Sequence, residues 1–488
     1  MGEGRSDEAL FEVEEVPPPS RARMPAGSAK TFRHYDQAQS FLLPPSLDDW
    51  LPEDHEARFV SEVVDELLEL SPIYDAYLTT DGAPPYDPRM MLKLLLYGYS
   101  TGVSSSRAIE RRCVVDVAFR FLSANQGPDY RSIARFRRRH LEALDQLFVQ
   151  VLALCAEAGL VRLGRVALDG TKLRASASRH KAMSYERIGP KIGQLEDEVA
   201  ALLAAAEQAD LDEDEAFGKD RRGDELPAEL ARRTSRLSRL RAAKEALEEE
   251  ARDNAAGKAA EKAMEKGASE EEVAAAEEAA AAEASPKPTA QRSFTDPEAR
   301  MMKTNDGFHY AFNAQAMVDE ASQVVLAAVV TQQAGDADQL LSMIEATTTR
   351  LCEAGIEARP RLVLADAGYC SKDNLEALEK AEIDALVATG RLRRDEQVPA
   401  APKGRIPKGL TSRERMARRL RTKKGRKDYA RRKAIVEPVF GQMKVRQNAG
   451  QLRLRGLDGA RGEWTLHSLC HNLRKLRNAR AEVSLRAT

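Results

Sequence analysis

Two short apolar runs, each closed by an aspartate, punctuate the chain: Val166-Ala167-Leu168-Asp169-Gly170 and Leu362-Val363-Leu364-Ala365-Asp366-Ala367-Gly368. Runs of this length bounded by glycine predict buried strands. Tyr310 to Val318 and Gln323 to Thr331 flank Asp319-Glu320-Ala321-Ser322, which predicts a hairpin. Helices are predicted over 338–354 and 372–381, and a further short strand over 383–388. Residues 31–160 read as helical. Pro88 suits a first helical turn, and Met90, Met91, Leu94, Leu95 and Tyr97 follow on an apolar face. Ser104 to Ser106 offer caps for a helix from Arg107 to Phe121, after a turn at Thr101-Gly102. A third helical region, Ser132 to Cys155, opens among Arg131, Arg135, Arg137, Arg138 and Arg139. Short helices of this kind suit either DNA binding or a packing and dimerisation module.

Between the first aspartate strand and the hairpin the pattern changes. Ile188, Ile192, Leu195, Val199 and Leu202 recur at four- and three-residue steps, and Leu230, Leu237, Leu240 and Leu247 do so beyond an acidic stretch, Asp210 to Glu225. This predicts two antiparallel helices, a coiled-coil hairpin. Residues 255–284 are rich in Ala, Glu and Lys, a further helix or disorder, and Pro286 and Pro288 end the segment. The division that follows is a disordered tail at 1–30, a helical domain at 31–160, a core at 161–184 and 293–480, and a helical insertion at 185–292. Periodicity alone gives mixed α/β for the core.

A length of 488 residues allows two or three domains. The apolar runs are too short to span a membrane, and the opening residues lack the apolar segment of a signal peptide. Cys113, Cys155, Cys352, Cys370 and Cys470 are scattered, which suggests buried free thiols in a reducing cytoplasm. A net charge of -2 looks unpromising for a nucleic-acid binder, but it is unevenly distributed. Residues 403–446 hold 17 Lys and Arg against three acids, whereas acids concentrate in 196–283.

Charge and pattern converge on three carboxylates. A carboxylate at a strand end is costly to ionise, and a divalent cation removes that cost. Asp169 and Asp366, joined by Glu437 in the basic stretch Tyr429 to Lys444, suggest phosphoryl transfer on a polyanion with Mg²⁺. Each residue alone has an ordinary role. Asp before Gly serves turns, and Glu437 is an i,i+4 partner for Lys433. His467 and His471 stand one helical turn apart with Cys470 between them, but Leu466, Leu469 and Leu473 make that segment a packed helix rather than a zinc site. Trp464 is expected in the core rather than stacked on DNA.

The stretches LDGTKLRASAS (168–178), TDPEARMMKTNDGFHYAFNAQAMVD (295–319), LADAGYCS (364–371), Tyr429 to Lys444 and LRLRGLDGARGEWTLHSLCHNLRKL (452–476) together resemble a bacterial insertion-sequence transposase of the DDE type. The insertion-sequence family called eleven eighty-two is the nearest. Residues 86–113 and 128–140 resemble the helical domain that precedes the catalytic core there. The resemblance covers most of 31–480 and implies a ribonuclease-H-like mixed sheet. It implies that Asp169 bridges two Mg²⁺ ions, with Mn²⁺ as a substitute, while Asp366 holds one and Glu437 the other. It implies water attack at transposon ends, then attack of a 3′-hydroxyl on target DNA. The partners implied are double-stranded DNA, as inverted-repeat ends and target, and further copies of the chain in a dimer or higher oligomer. The location implied is the cytoplasm, at the nucleoid.

These transposases carry a Tyr-x2-Arg-x3-Glu-x6-Lys signature. Tyr429 and Arg432 fit its first spacing, and Glu437 and Lys444 its last, but four residues separate Arg432 from Glu437. Helical geometry favours Lys433 as the phosphate partner beside Glu437, and the tyrosine spacing favours Arg432. Pro438 suggests a helix restarting there. Tyr429, Arg432, Lys433 and Lys444 are the candidate DNA contacts. Two other functions fit the chain: a nuclease of the same fold that never joins strands, and a catalytically inactive DNA-binding or coiled-coil assembly protein.

Overall fold

The computed structural model describes residues 46–77, 84–177, 182–217, 228–304, 306–390, 400–404, 407 and 409–487. The tail at 1–30 lies outside them, as does part of the acidic stretch before Glu225. The chain opens with helices α1 (Glu56–Glu62), α2 (Ser71–Tyr74), α3 (Pro88–Ser100), α4 (Ser106–Val115), α5 (Val117–Leu122), α6 (Tyr130–Arg139) and α7 (Leu141–Glu157). Asp87 caps α3 by accepting from Arg89 N, with Pro88 in the first turn, and Gly102 leaves the helix at φ 82°. Two helices anticipated as continuous are each broken. Asp116 ends α4 and caps α5 through Ala118 N and Phe119 N, and His140 separates α6 from α7. At Asp116 a side-chain acceptor two residues before free N–H groups starts a new helix more favourably than the old one continues, whereas His140 makes no such side-chain cap.

A mixed sheet follows, built from β1 (Arg165–Arg174), β4 (Arg300–Thr304), β5 (Gly307–Asp319), β6 (Val325–Thr331), β7 (Leu362–Ala365) and β8 (Ala385–Val387). The strands β2 (Ala182–Ser184) and β3 (Gln291–Ser293) form a separate pair. β1 is central. It pairs antiparallel with β5, Asp169 opposite Ala316, and parallel with β7, Ala167 opposite Leu364. β8 extends the parallel side, while β4 and β6 share the far edge of β5. The predicted hairpin is β5–β6. The strand β4 had no separate signal, because its residues alternate only weakly.

Helix α11 (Gln339–Glu353) leads from β6 to β7, and α12 (Lys372–Lys380) from β7 to β8. The chain then forms α13 (Ser412–Arg421), α14 (Lys423–Tyr429), α15 (Arg431–Arg446) and α16 (Leu457–Ala487). Residues 462–473 of α16 are buried on all sides. Asn472 gives and takes a hydrogen bond at Val325 of β6 (2.8 Å each), satisfying the start of an edge strand as a neighbouring strand would. On its other side α16 packs on α7 and α3. There the buried Glu463 accepts from Tyr99 Oη (2.9 Å) and from Arg453 N and Leu454 N. One apolar core therefore runs from Val60 through α16 to Val387. The amino-terminal helices and the sheet are built around the same side chains.

Residues from β2 to β3 depart from this core. Helices α8 (Tyr185–Phe217) and α9 (Ala228–Glu265) run antiparallel. The pairs Tyr185–Glu248, Glu196–Arg241 and Glu198–Arg233 advance on one helix as they recede on the other. Ile188, Leu195, Leu237, Leu240 and Leu247 form their own apolar cluster. The Ala/Glu/Lys-rich segment is helical, continuing α9 and adding α10 (Glu270–Glu283), which a Ser269/Glu272 capping box opens.

Helix α15 does not restart at Pro438 but runs through it. A proline within a helix strands the carbonyl four residues earlier. That carbonyl, Ala434 O, accepts Gln323 Nε2 (3.0 Å) from the β5–β6 turn. No helix among the described residues is long and apolar enough to cross a membrane.

Candidate active site

Parallel pairing between β1 and β7 ends at Ala167 and Leu364. Two residues further along each strand stand Asp169 and Asp366, level with one another. Asp169 is not at a strand end as anticipated: β1 continues to Arg174 against β5 alone. Asp366 is the first residue after β7, and its Oδ1 caps the following turn through Gly368 N (2.8 Å). The carboxyl ends of the adjacent parallel strands β1 and β7 are the side of a sheet on which α/β proteins bind ligands.

Helix α15 crosses this end of β1. Arg432 Nη1 donates to Asp169 Oδ2 (3.0 Å), and the Arg432 side chain is only 9% exposed. Three turns later Lys444 Nζ donates to Thr171 Oγ1, on the same face of β1 as Asp169. Burial pushes the Asp169 carboxyl above its ordinary value, against the pull of Arg432, and the neighbouring Asp366 adds to the rise. Burial draws the Arg432 guanidinium down, but Asp169 and Tyr429 outweigh it and the net shift is upward. Burial lowers Lys444, with Asp169 and Asp306 opposing. Tyr429 is raised by burial and lies beside Arg432.

The other face of the same strands carries a polar network that sequence reasoning missed. Gln315 Nε2 donates to Asn313 Oδ1 and Asp336 Oδ1 (3.0 Å each), and Gln315 Oε1 accepts Tyr369 Oη. Asp336 Oδ1 also accepts Asn313 Nδ2 (2.7 Å) and Lys172 Nζ (3.1 Å). Asn374 Nδ2 ties Ala337 O to Tyr369 O (2.7 and 2.8 Å). The turn that carries Asp366 is thus bonded to β5 and, through Asn374, to the loop before α11, whose Asp336 in turn takes Lys172 of β1. A signal was present: Asn313 and Gln315 alternate within an otherwise apolar strand, where a buried amide needs partners. Burial raises the Tyr369 phenol strongly, and Asp336, Asp169 and Asp366 add to it. Gly170 owes its place to this network. A Cβ there would lie well inside van der Waals contact with Gln315 Nε2.

Not every anticipated residue joins the pair. Glu437 and Lys433 are exposed on α15, and neither forms a hydrogen bond or ion pair with a described residue. Arg432, not Lys433, reaches Asp169. Among the described residues no three His, Cys, Asp or Glu side chains gather closely enough to hold a metal ion. His467 and His471 are core residues. Burial pushes them down to about 3 and about 4, His471 meeting Gln323 O (2.9 Å) and His467 meeting Gln447. Trp464 is buried, donates to Gln315 O (2.9 Å) and stacks on Phe440. Cys113, Cys155 and Cys470 are buried free thiols, but Cys352 is exposed and Cys370 half-buried.

The basic run is less free than its count suggested. Arg415 pairs with Glu379, Arg419 with Asp384, and Arg431 with Glu320. Lys423, Lys424, Lys427 and Lys433 remain exposed.

Two family models match the chain. One, described as Transposase domain (DUF772), covers residues 45–139, and the other, Transposase DDE domain, covers 283–473. Together they span α1 to α6 and most of the sheet with α11 to α15, and they indicate a transposase of the DDE type. No match is found among curated proteins or among solved structures.

Proposed function

For this chain, a transposase of the DDE type, we propose metal-dependent cleavage of DNA strands at transposon ends and their joining to target DNA, centred on Asp169 and Asp366. The observation that carries this reading is the level placement of these two carboxylates on adjacent strands, with Arg432 and Lys444 facing them from α15. We read the sheet as ribonuclease-H-like, α1 to α7 as the part that grips a DNA end, and 185–292 as a coiled-coil protrusion. Within that type we read the chain as one of the insertion-sequence family called eleven eighty-two.

Two aspartates at one level of the sheet, Asp169 largely buried and Asp366 half-buried, suit a hard divalent cation. Asp169 and Asp366 would hold Mg²⁺, or Mn²⁺ in its place; Glu437, exposed on α15, would serve as the third acid only by turning toward them when the site loads. Bound there, the metal supplies Lewis-acid stabilisation of the attacking and leaving oxygens of an in-line displacement. The chain's own residues do the rest. Arg432 has further N–H donors for a phosphate, beyond the one on Asp169. Lys444 presents a partly desolvated ammonium, whose attraction for a phosphodiester is little screened. Tyr429, beside Arg432, narrows its range of positions. The Asn313–Gln315–Asp336–Tyr369 network holds Asp366 at a fixed height beside Asp169.

Asp169→Asn, Asp366→Asn and Glu437→Gln should each abolish Mg²⁺-dependent cleavage of a duplex carrying the element's ends, while folding and DNA binding persist. Cleavage retained by any one variant removes that residue from the catalytic set. Joined products with a target duplex separate a transposase from a nuclease of the same fold, which would yield cut ends only.

A further inference from the structure

We infer that Arg432 is an exchangeable counter-ion: it holds Asp169 in the free protein and passes to a DNA phosphate when the site loads, so that DNA and divalent metal bind together. The inference rests on the metal-dependent reading above and concerns how that site is regulated.

Asp169 and Asp366 bring two negative charges to this corner of the sheet, and Arg432 and Lys444 bring two positive ones from α15. The free site is balanced without metal. Both Asp169 oxygens already have protein donors, Oδ1 from Gly170 N (2.9 Å) and Oδ2 from Arg432 Nη1 (3.0 Å). A divalent cation added to this arrangement competes with a guanidinium for the same oxygen and leaves a net positive charge of two in poorly hydrated surroundings. Phosphodiesters supply the missing negative charge, and they accept the planar N–H fork that Arg432 presents. Once Arg432 turns to a phosphate, Asp169 Oδ2 is free for the cation. Glu437, exposed and unpaired with any described residue, is not part of this balance.

The pair on the other face behaves differently. Asp336 Oδ1 is fixed by Lys172, Asn313 and Gln315 together, so that carboxylate has no single partner to exchange.

Linkage makes the inference quantitative. If DNA raises the metal affinity by some factor, metal raises the DNA affinity by the same factor. The test is Mn²⁺ binding to the full chain, followed by its paramagnetic signal, without DNA. Arg432→Gln and Arg432→Met remove the competing cation and should bind Mn²⁺ at least about tenfold more tightly than the wild type at the site that Asp169→Asn abolishes. Arg432→Met keeps the side chain's bulk, and serves if the glutamine variant folds poorly. Arg432→Lys keeps the charge and should resemble the wild type. In the second arm, the affinity for a mixed-sequence duplex is measured with and without Mg²⁺. Asp169→Asn supplies the reference for the general salt effect of Mg²⁺. Relative to it, Mg²⁺ should tighten DNA binding by the wild type, and much less so by Arg432→Gln. Equal or weaker Mn²⁺ binding by both uncharged variants, at a site still lost in Asp169→Asn, overturns the exchange and leaves the metal site standing. Mn²⁺ binding indifferent to both Asp169→Asn and Asp366→Asn removes the metal site, and the exchange with it.

Discussion

Gly170→Ala tests the link between the two faces of β1. In sequence, Asp169-Gly170 has the form of a turn, where glycine is wanted for its backbone freedom. In the structure Gly170 lies within β1 opposite Gln315, and what matters there is the missing Cβ. An added Cβ would be 3.0 Å from Gln315 Cδ and closer still to Nε2. Ordinary contact needs about 3.5 Å. Gln315 has nowhere to retreat, being fully buried with its amide bonded to Asn313, Asp336 and Tyr369. If the strands part, overpacking costs about 1–3 kcal/mol. If the amide swings away, each buried partner left unsatisfied costs about 1–3 kcal/mol. The loss is about 1–3 kcal/mol by the first route and at least that by the second, a large part of the roughly 5–15 kcal/mol that holds a domain folded.

The assay is urea denaturation of Gly170→Ala, Gln315→Ala and the double variant. Gln315→Ala vacates the space that the new methyl needs. The double variant should therefore be no less stable than Gln315→Ala alone, a favourable coupling of about 2 kcal/mol or more. Additive losses, within about 0.5 kcal/mol, would refute the steric argument. Gly170→Ala should also lose Mg²⁺-dependent cleavage well before it loses DNA binding, since Tyr369 and the turn carrying Asp366 lean on the same amide.

Three further outcomes are expected. His140, His467 and His471 are buried neutral, with burial the main cause of values near about 4, about 3 and about 4. Their folded values lie below the ordinary one, so the stability they contribute is complete above about pH 6.5 and falls in acid. By pH 5 each should cost about 2 kcal/mol, and a chain equally resistant to urea at pH 7 and pH 5 contradicts this. Gln323→Ala leaves the exposed Ala434 O to water and should cost about 0.5–1.5 kcal/mol; adding Pro438→Ala restores a helical N–H there, and failure to recover most of the loss denies the capping role. Replacing the segment between Ser184 and Gln291 by a short Gly/Ser linker should leave one cooperative melting transition, because its apolar cluster is separate from the main core; loss of that transition makes the segment integral.

The strands around Asp169 and Asp366, the β5–β6 hairpin, α11, α12 and the leucine rows of the 185–247 segment were legible in the sequence. Each is a local pattern of apolar residues that only one kind of element can bury. The breaks at Asp116 and His140 were harder to see. At Asp116 a caps-or-continues choice depends on a single side chain, and at His140 it coincides with packing against Tyr77 and Phe136. Pro438 misled for a similar reason: the donor that repairs the helix comes from Gln323, more than a hundred residues away.

By itself, then, the amino-acid order determined most of the strands and helices, which buried strands carry an aspartate, and which helix carries the basic residues beside them. Those properties depend on neighbours a few positions apart. Tertiary structure alone decided that Asp169 and Asp366 stand level, that Arg432 rather than Lys433 faces them, and that Asp336 and Gln315 support them from behind. It also decided that Glu437 faces outward. These outcomes depend on the register of β1 against β7 and on the rotation of α15 over β1. Both are set by the packing of Ile435, Val436, Val439 and Met443 into a core whose other side chains come from far along the chain. A shift of one residue in either would have turned a different cation toward Asp169.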